Sequence, residues 1–227
     1  AARTLQRRFE ATANNIANLS TDGFRGQRSI TSEHVASTGG ASISMPRLGS
    51  ALTLMRPGEV VPTQRSLDFA IEGPGFFLLE TPEGGQVLSR AGAFSLDADG
   101  SLVASDGARV LDAGGAPIAI PPGSGSLNAA SDGTLERDGA ILGQIAIIAA
   151  PERPERLGAG RLAAPNEIVP VETQRLRQGA LEQSNLSGVS EIASMIEASR
   201  LHALVADLAE TEDRRIRNVI ETFSRQT

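Results

Sequence analysis

Between Gly188 and Arg225 no further glycine and no proline interrupts the chain. A run of that length without a helix breaker predicts one continuous helix. At 1.5 Å per residue it would extend roughly 55 Å, further than a compact module of about 100 residues can cover on one side. Its heptad face holds Ile192, Met195, Ser199, His202, Ala206, Ala209, Asp213, Ile216, Ile220 and Phe223. Most of these are apolar or small, which suits close helix packing, and Asp213 ahead of Arg214 and Arg215 is the weak point of the seam. Such a stripe ordinarily faces the protein's own core. This one is too long for that, so part of it must meet an N-terminal helix, other chains, or both.

The N-terminal partner is legible in Leu5, Phe9, Ala13 and Ile16, spaced by four, four and three, which lays one apolar face along a helix. Asn14, Asn15 and Asn18 cluster on a neighbouring face, and the helix stops at Asp22-Gly23. Asparagine is a poor helix-interior residue because its amide competes for backbone groups. Either the amides and Gly23 cap a helix end, or the amides bridge to other helices in an assembly. A second polar segment, Ser184-Asn185, leads directly into the overlong helix, and that pairing favours contacts between subunits.

Between the helices the composition shifts. Residues 26–66 are rich in Ser, Thr, Gly and Pro and read as an extended connector with short strands near 51–55 and 58–62. From 67 to 164, short apolar segments alternate with turns, and four Asp-Gly pairs begin at Asp99, Asp106, Asp132 and Asp138. Asp-Gly between apolar runs is a strong hairpin signal. The stretch Ile141–Ala150 is the most apolar of this region and is expected as its central strand. Residues 165–187 form a return connector. The expected fold class is α+β: N- and C-terminal helices (1–25 and 188–227) pairing as a coiled-coil-like helical domain, with an inserted all-β, mostly antiparallel module at 67–164.

Little here supports catalysis. Aromatics make up 3% of the chain, without Trp or Tyr, which disfavours an aromatic-lined pocket. Cysteine is absent, and the two histidines, His34 and His202, stand far apart in sequence, so no metal site is expected. All 21 basic residues are arginine and the net charge is −6, against nucleic-acid binding. With no lysine, no P-loop can be completed. No G-x-S-x-G elbow occurs, and the carboxylate pairs Glu152/Glu155 and Asp207/Glu210 read as solvated surface. Asp97, Asp99 and Gly100 open like a calcium loop, but the twelfth position is Ala108 where a glutamate is required. No cofactor is expected, no segment reaches the roughly 20 apolar residues of a membrane span, and no signal peptide opens the sequence.

Three segments together resemble the flagellar axial family of rod, hook and hook-associated proteins. Ala13-Asn14-Asn15-Ile16-Ala17-Asn18 with Ser20-Thr21-Asp22-Gly23-Phe24-Arg25 is similar to the rod signature A-N-N-x-A-N-x-x-T-x-G-[FY]-[KR]. Gln178-Gly179-Ala180-Leu181-Glu182-Gln183-Ser184-Asn185-Leu186, then Glu191, Met195-Ile196 and Arg200, resembles its C-terminal counterpart. Residues 67–77, with Ser89-Arg90-Ala91-Gly92-Ala93-Phe94, are similar to the central module of the hook and larger rod proteins. His202 departs, standing where relatives usually carry an aromatic or bulkier residue.

What the resemblance implies is a non-enzymatic structural subunit of the flagellar basal-body rod, of proximal-rod type ahead of distal rod or hook. It implies a periplasmic drive shaft exported by the flagellar type III apparatus without a cleaved signal, and partners that are copies of itself, other rod proteins and the surrounding basal-body ring proteins. The expected subunit interface comprises Leu5, Phe9, Asn14, Asn15, Asn18, Gly23, Phe24, Leu181, Ser184, Asn185, Ile192, Met195, Ile196, Arg200, Ile216, Ile220 and Phe223. A calcium-dependent β-rich hydrolase or adhesin is the competing class.

Overall fold

The computed structural model describes residues 2–38, 41–123, 125–152, 154–171 and 175–224. Two compact units emerge. One comprises Ala1–Ala17, Gln27–Leu52 and Ser187–Thr227; the other comprises Asn18–Gly26 and Thr53–Leu186.

The first unit contains helix α1 (Ala2–Ala17), strands β1 (Gln27–Thr38) and β2 (Ala41–Thr53), which pair as a ribbon, and helix α2 (Gly188–Ser224). The helices run antiparallel: Arg8 Nη2 meets Glu197 Oε2 at 2.6 Å, while Asn15, further along α1, meets Glu191, earlier in α2, at 2.9 Å. Helix α2 starts where the Glu191 N–H donates to the Ser187 carbonyl at 3.0 Å, and Glu191 in that first turn complements the helix dipole. Along α2 the buried line passes through Ala198, with Met195, Leu201 and Val205 half-buried; Ser199, His202 and Ala206 are exposed. The strict heptad reading thus drifts off the seam after Met195, since a straight helix repeats at 3.6 and not 3.5 residues.

The second unit is all β among its described residues. Its strands are β3 (Val60–Pro62), β4 (Phe69–Glu72), β5 (Phe76–Glu80), β6 (Gln86–Ser89), β7 (Phe94–Leu96), β8 (Leu102–Ala104), β9 (Arg109–Val110), β10 (Leu127–Ala129), β11 (Thr134–Arg137), β12 (Ala140–Gln144), β13 (Ile147–Ile148), β14 (Arg156–Gly158), β15 (Arg161–Ala163), β16 (Arg175–Gln178) and β17 (Ala180–Glu182). The largest sheet has the order β14-β15-β6-β5-β9-β8-β7, with β13 also on β5; β10-β11-β12 form a second sheet, and β16 and β17 pair with β4 and β3.

Strand β5 lies at the centre. Phe77 and Leu79 enter one core cluster with Phe69, Phe94, Leu102 and Val110, while Phe76 and Leu78 enter another with Leu88, Leu111, Ile148 and Leu162. Burial on both faces explains why its sequence is continuously apolar and does not alternate. Phe77 and Phe94 meet edge to face with centroids 5.2 Å apart, a favoured ring geometry.

All four Asp-Gly pairs form hairpin turns. At three of them the strand closes over a three-residue loop, as in Ala104 N to Ala108 O at 2.8 Å and Gly107 N to Ala104 O at 2.9 Å, with the glycine at φ +81 to +94°. The fourth is a two-residue turn with Asp138 at φ 53° and Gly139 at φ 81°, the primed type that matches strand twist. Asp97 Oδ1 accepts the amides of Asp99 (3.0 Å) and Ser101 (2.7 Å), so the calcium-like motif is a turn. The expected central strand at 141–150 is divided. Strand β12 edges the small sheet, with Ile141 74% exposed, and β13 joins β5.

The expected fold class is corrected by this architecture. The chain is mostly β-sheet, with a short N-terminal helix of 16 residues and one long C-terminal helix of 37, and it does not have a coiled-coil-type helical domain. The helices share their unit with the β1–β2 ribbon. That ribbon draws on a Ser/Thr-rich segment in which neither face is consistently apolar, so the alternation that announces a half-buried strand is missing from it.

Candidate functional site

The signature segments divide between two buried polar clusters, one in each unit. In the β unit, residues 18–26 leave the helix in a tight turn and Gly23, at φ +67°, lies against the backbone of Arg90 and Ala91. A side chain at 23 would collide with that backbone. The Gly23 N–H donates to the Glu182 carbonyl at 2.6 Å, which joins the N-terminal signature to β17.

Glu182, on β17, is the hub. Its Oε1 accepts from Arg25 Nη1 at 2.6 Å and from the Gly58 N–H at 2.8 Å, and its Oε2 accepts from Arg90 Nη1 at 2.9 Å. Arg90 also donates to the carbonyls of Ile71, at 2.8 Å, and Gly73. Arg25 donates to the Arg56 carbonyl at 2.7 Å. All three charged residues are at most 3% exposed. Burial pushes both guanidiniums below the usual arginine range, Arg90 to about 10, against the opposing pull of Glu182. Two buried cations share one carboxylate, so removing that carboxylate leaves charge without a counterion. Phe24, 1% exposed, is covered by the Arg156 guanidinium 5.2 Å from its ring, and Arg156 donates to the Arg25 carbonyl at 2.7 Å.

Asn185 completes the cluster. Its Oδ1 accepts the Gly26 N–H at 2.9 Å, and its Nδ2 donates to the carbonyls of Leu54 (2.7 Å) and Arg56 (2.9 Å). Asp22, beside this turn, has its carboxyl raised, first by burial and then by the buried Asp68.

In the helical unit Asn15 is 2% exposed. It exchanges a pair of hydrogen bonds with the backbone of Gln27, both at 2.9 Å, and donates to Glu191 Oε2 at 2.9 Å. The Thr12 hydroxyl turns back to the Arg8 carbonyl at 3.0 Å.

The residues expected at an interface therefore fall into distinct groups. Asn15, Gly23, Phe24, Leu181 and Asn185 are buried, and the two asparagines bond within the chain. Leu5, Asn18, Ser184 and Met195 are half-buried, while Asn14 and Arg200 are exposed. Phe9 (42%), Ile192 (53%), Ile196 (49%) and Ile216 (56%) are apolar and exposed. The side chains of Ile220 and Phe223 lie outside the described residues. Sequence reasoning passed over Arg25, Arg90 and Glu182 as a unit, although each lies in a quoted motif; a charged residue between apolar neighbours, as in Ala180-Leu181-Glu182, was the available signal. It also passed over Leu204 and Leu208, 57% and 58% exposed. With Ile192, Ile196 and Ile216 these form one i+4 ridge along α2, interrupted by Arg200 and Glu212.

Such ridges are the surfaces by which helices interlock. The geometry offers a stiff, internally tied β unit and a long helix with an uncovered apolar ridge, an arrangement suited to assembly.

Comparison with known proteins agrees. Residues 1–25 match the family model of the flagella basal body rod protein, and residues 70–137 match that of the flagellar hook protein FlgE/F/G D1 domain. The chain is 32% identical to the flagellar basal-body rod protein FlgF of Mesorhizobium japonicum, over 95% of this chain and 92% of that one. It is also 32% identical to FlgF of Rhizobium meliloti, over 96% and 92%. Against the flagellar basal-body rod protein FlgG of Bacillus subtilis the identity is 31%, over 87% and 86%.

Proposed function

The chain belongs to the flagellar basal-body rod protein family, and on that premise we propose that it is a structural subunit of the rod, of the FlgF type and proximal in position. The stronger likeness to FlgF than to FlgG favours that position. It acts by assembly and not by catalysis, polymerising with copies of itself and with other rod proteins and transmitting motor torque across the periplasm, which it reaches by flagellar export. The β unit faces neighbouring subunits or the surrounding ring proteins.

One observation carries this reading: Ile192, Ile196, Leu204, Leu208 and Ile216 of α2 are apolar and exposed, at positions that are multiples of four residues apart. Exposed apolar residues grouped along one helix mark a surface that another chain covers. Placing arginine at both Leu204 and Leu208 tests it in a strain lacking its own copy of the gene. Loss of motility with a normally melting, exported β unit supports the proposal; unaltered rods and swimming would contradict it.

A further inference from the structure

The backbone passes between the two units four times, between residues 17 and 18, 26 and 27, 52 and 53, and 186 and 187. A twisting load carried across such a boundary is shared among the crossing segments only if they are tied to one another close to where they cross. Untied, they would yield one after another.

Both signature asparagines sit within three residues of a crossing, and each ties three of the four. Within the helical unit Asn15 precedes the first crossing. It holds Gln27, the first residue after the second crossing, by both its N–H and its carbonyl at 2.9 Å, and Glu191, just after the fourth, also at 2.9 Å. Within the β unit Asn185 precedes the fourth crossing. It accepts from Gly26, the last residue before the second crossing, at 2.9 Å, and donates to Leu54 and Arg56, just after the third, at 2.7 and 2.9 Å. Its own N–H donates to the Phe24 carbonyl at 3.3 Å. We infer that Asn15 and Asn185 are matched clasps, one inside each unit, that make the crossing segments bear torsion in parallel. The load-bearing part of this inference rests on the rod reading.

The residue type is what the role demands. A primary amide supplies two donors and an acceptor on one short arm. Aspartate lacks the donors and glutamine displaces the group by a methylene. With Asn15 2% and Asn185 7% exposed, water does not compete for these bonds. Both asparagines are positioning residues, acting through the segments they hold.

Hydrogen exchange on the full chain tests the clasps. In Asn185→Ala, amides at 23–27 and 54–58 should exchange at least tenfold faster together, while those of β5 at 76–80 keep their rates; Asn15→Ala should do the same for 27–29 and 188–192. Exposed Asn128→Ala is the control and should change neither set. Faster exchange confined to within two residues of the substituted asparagine would overturn the inference. Should Asn185→Ala melt the whole β unit, Asn185→Gln is read in the same way. In a strain without its own copy of the gene, both alanine variants should be exported and assembled, swim as wild type in dilute buffer, and lose at least half the wild-type speed in viscous medium. A speed loss independent of viscosity would overturn the load-bearing role. Failure of the wild-type chain itself to restore motility would count against the rod reading, and the exchange pattern would still decide the clasps.

Discussion

The two units differ in where their charges and their longest row of apolar residues lie. The β unit buries its charges: Arg25, Arg90 and Glu182 lie inside, with Asp68 fully covered. The helical unit exposes its apolar residues, Leu204 and Leu208 by more than half. Buried charges need counterions, and Glu182 supplies one to both Arg25 and Arg90, so this cluster is closed within the single chain. The exposed apolar row of α2 has the reverse meaning on the proposed reading, in which assembly buries it. On that reading one chain holds a completed structural block and a connector for assembly.

The largest effect should come from breaking the completed block. Glu182→Gln leaves two buried guanidiniums without a countercharge and should cost about 3–5 kcal/mol, read as a lower calorimetric melting temperature of the β unit. Loss of less than about 1 kcal/mol would mean that this cluster behaves like a surface ion pair, and the contrast would fail. Gly23→Ala comes next, because it combines a left-handed backbone with a collision against Arg90 and Ala91. Such strain costs of order 1–3 kcal/mol, and urea unfolding of the full chain measures it.

Substitutions on the connector should act in the other direction. Leu204→Arg with Leu208→Arg should shift monomer stability by no more than about 0.5 kcal/mol while abolishing assembly, which sedimentation and electron microscopy would show. The smallest effect is expected at Asp22. Its carboxyl is raised in the fold by burial and by Asp68, so the ionised form is disfavoured there. Its contribution to stability is complete below the unfolded value of about 3.9 and is lost as pH rises through the folded value. Asp22→Asn should therefore stabilise the β unit slightly at neutral pH and make no difference at pH 3. Equal melting temperatures at both pH values, or destabilisation at neutral pH, would contradict the shift.

How far the sequence disclosed all this differed between the units for physical reasons. The hairpins were legible because Asp-Gly acts through local dihedral angles, and each of the four pairs sits in a turn. The long helix was legible from the absence of breakers after Gly188. The ribbon was not, because its segment carries no apolar alternation and reads as an extended connector; the coiled-coil-like domain expected of the two terminal helices was wrong. The apolar run at 141–150 was read as one strand, but Ile145 and Ile147 are buried in the core while Ile141 is exposed on an edge; hydrophobicity alone does not say where a strand breaks. Asn15 and Asn185 stood out by type, yet apart from the Glu191 carboxylate their partners, at Gly26, Gln27, Leu54 and Arg56, are backbone groups, which no side-chain pattern can announce. The Arg25–Glu182–Arg90 cluster joins residues up to 157 positions apart, a pairing visible only once β3 meets β17 and the signature turn closes on them.

Hydrogen exchange of the dilute chain against its assembled form tests the contrast most directly. The account predicts that amides at 77–79, 87–89 and 110–111 are protected equally in both states, while those of α2 between 204 and 217 exchange freely in the dilute chain and become protected on assembly. Strong protection of 204–217 in the dilute chain, unchanged on assembly, would contradict it.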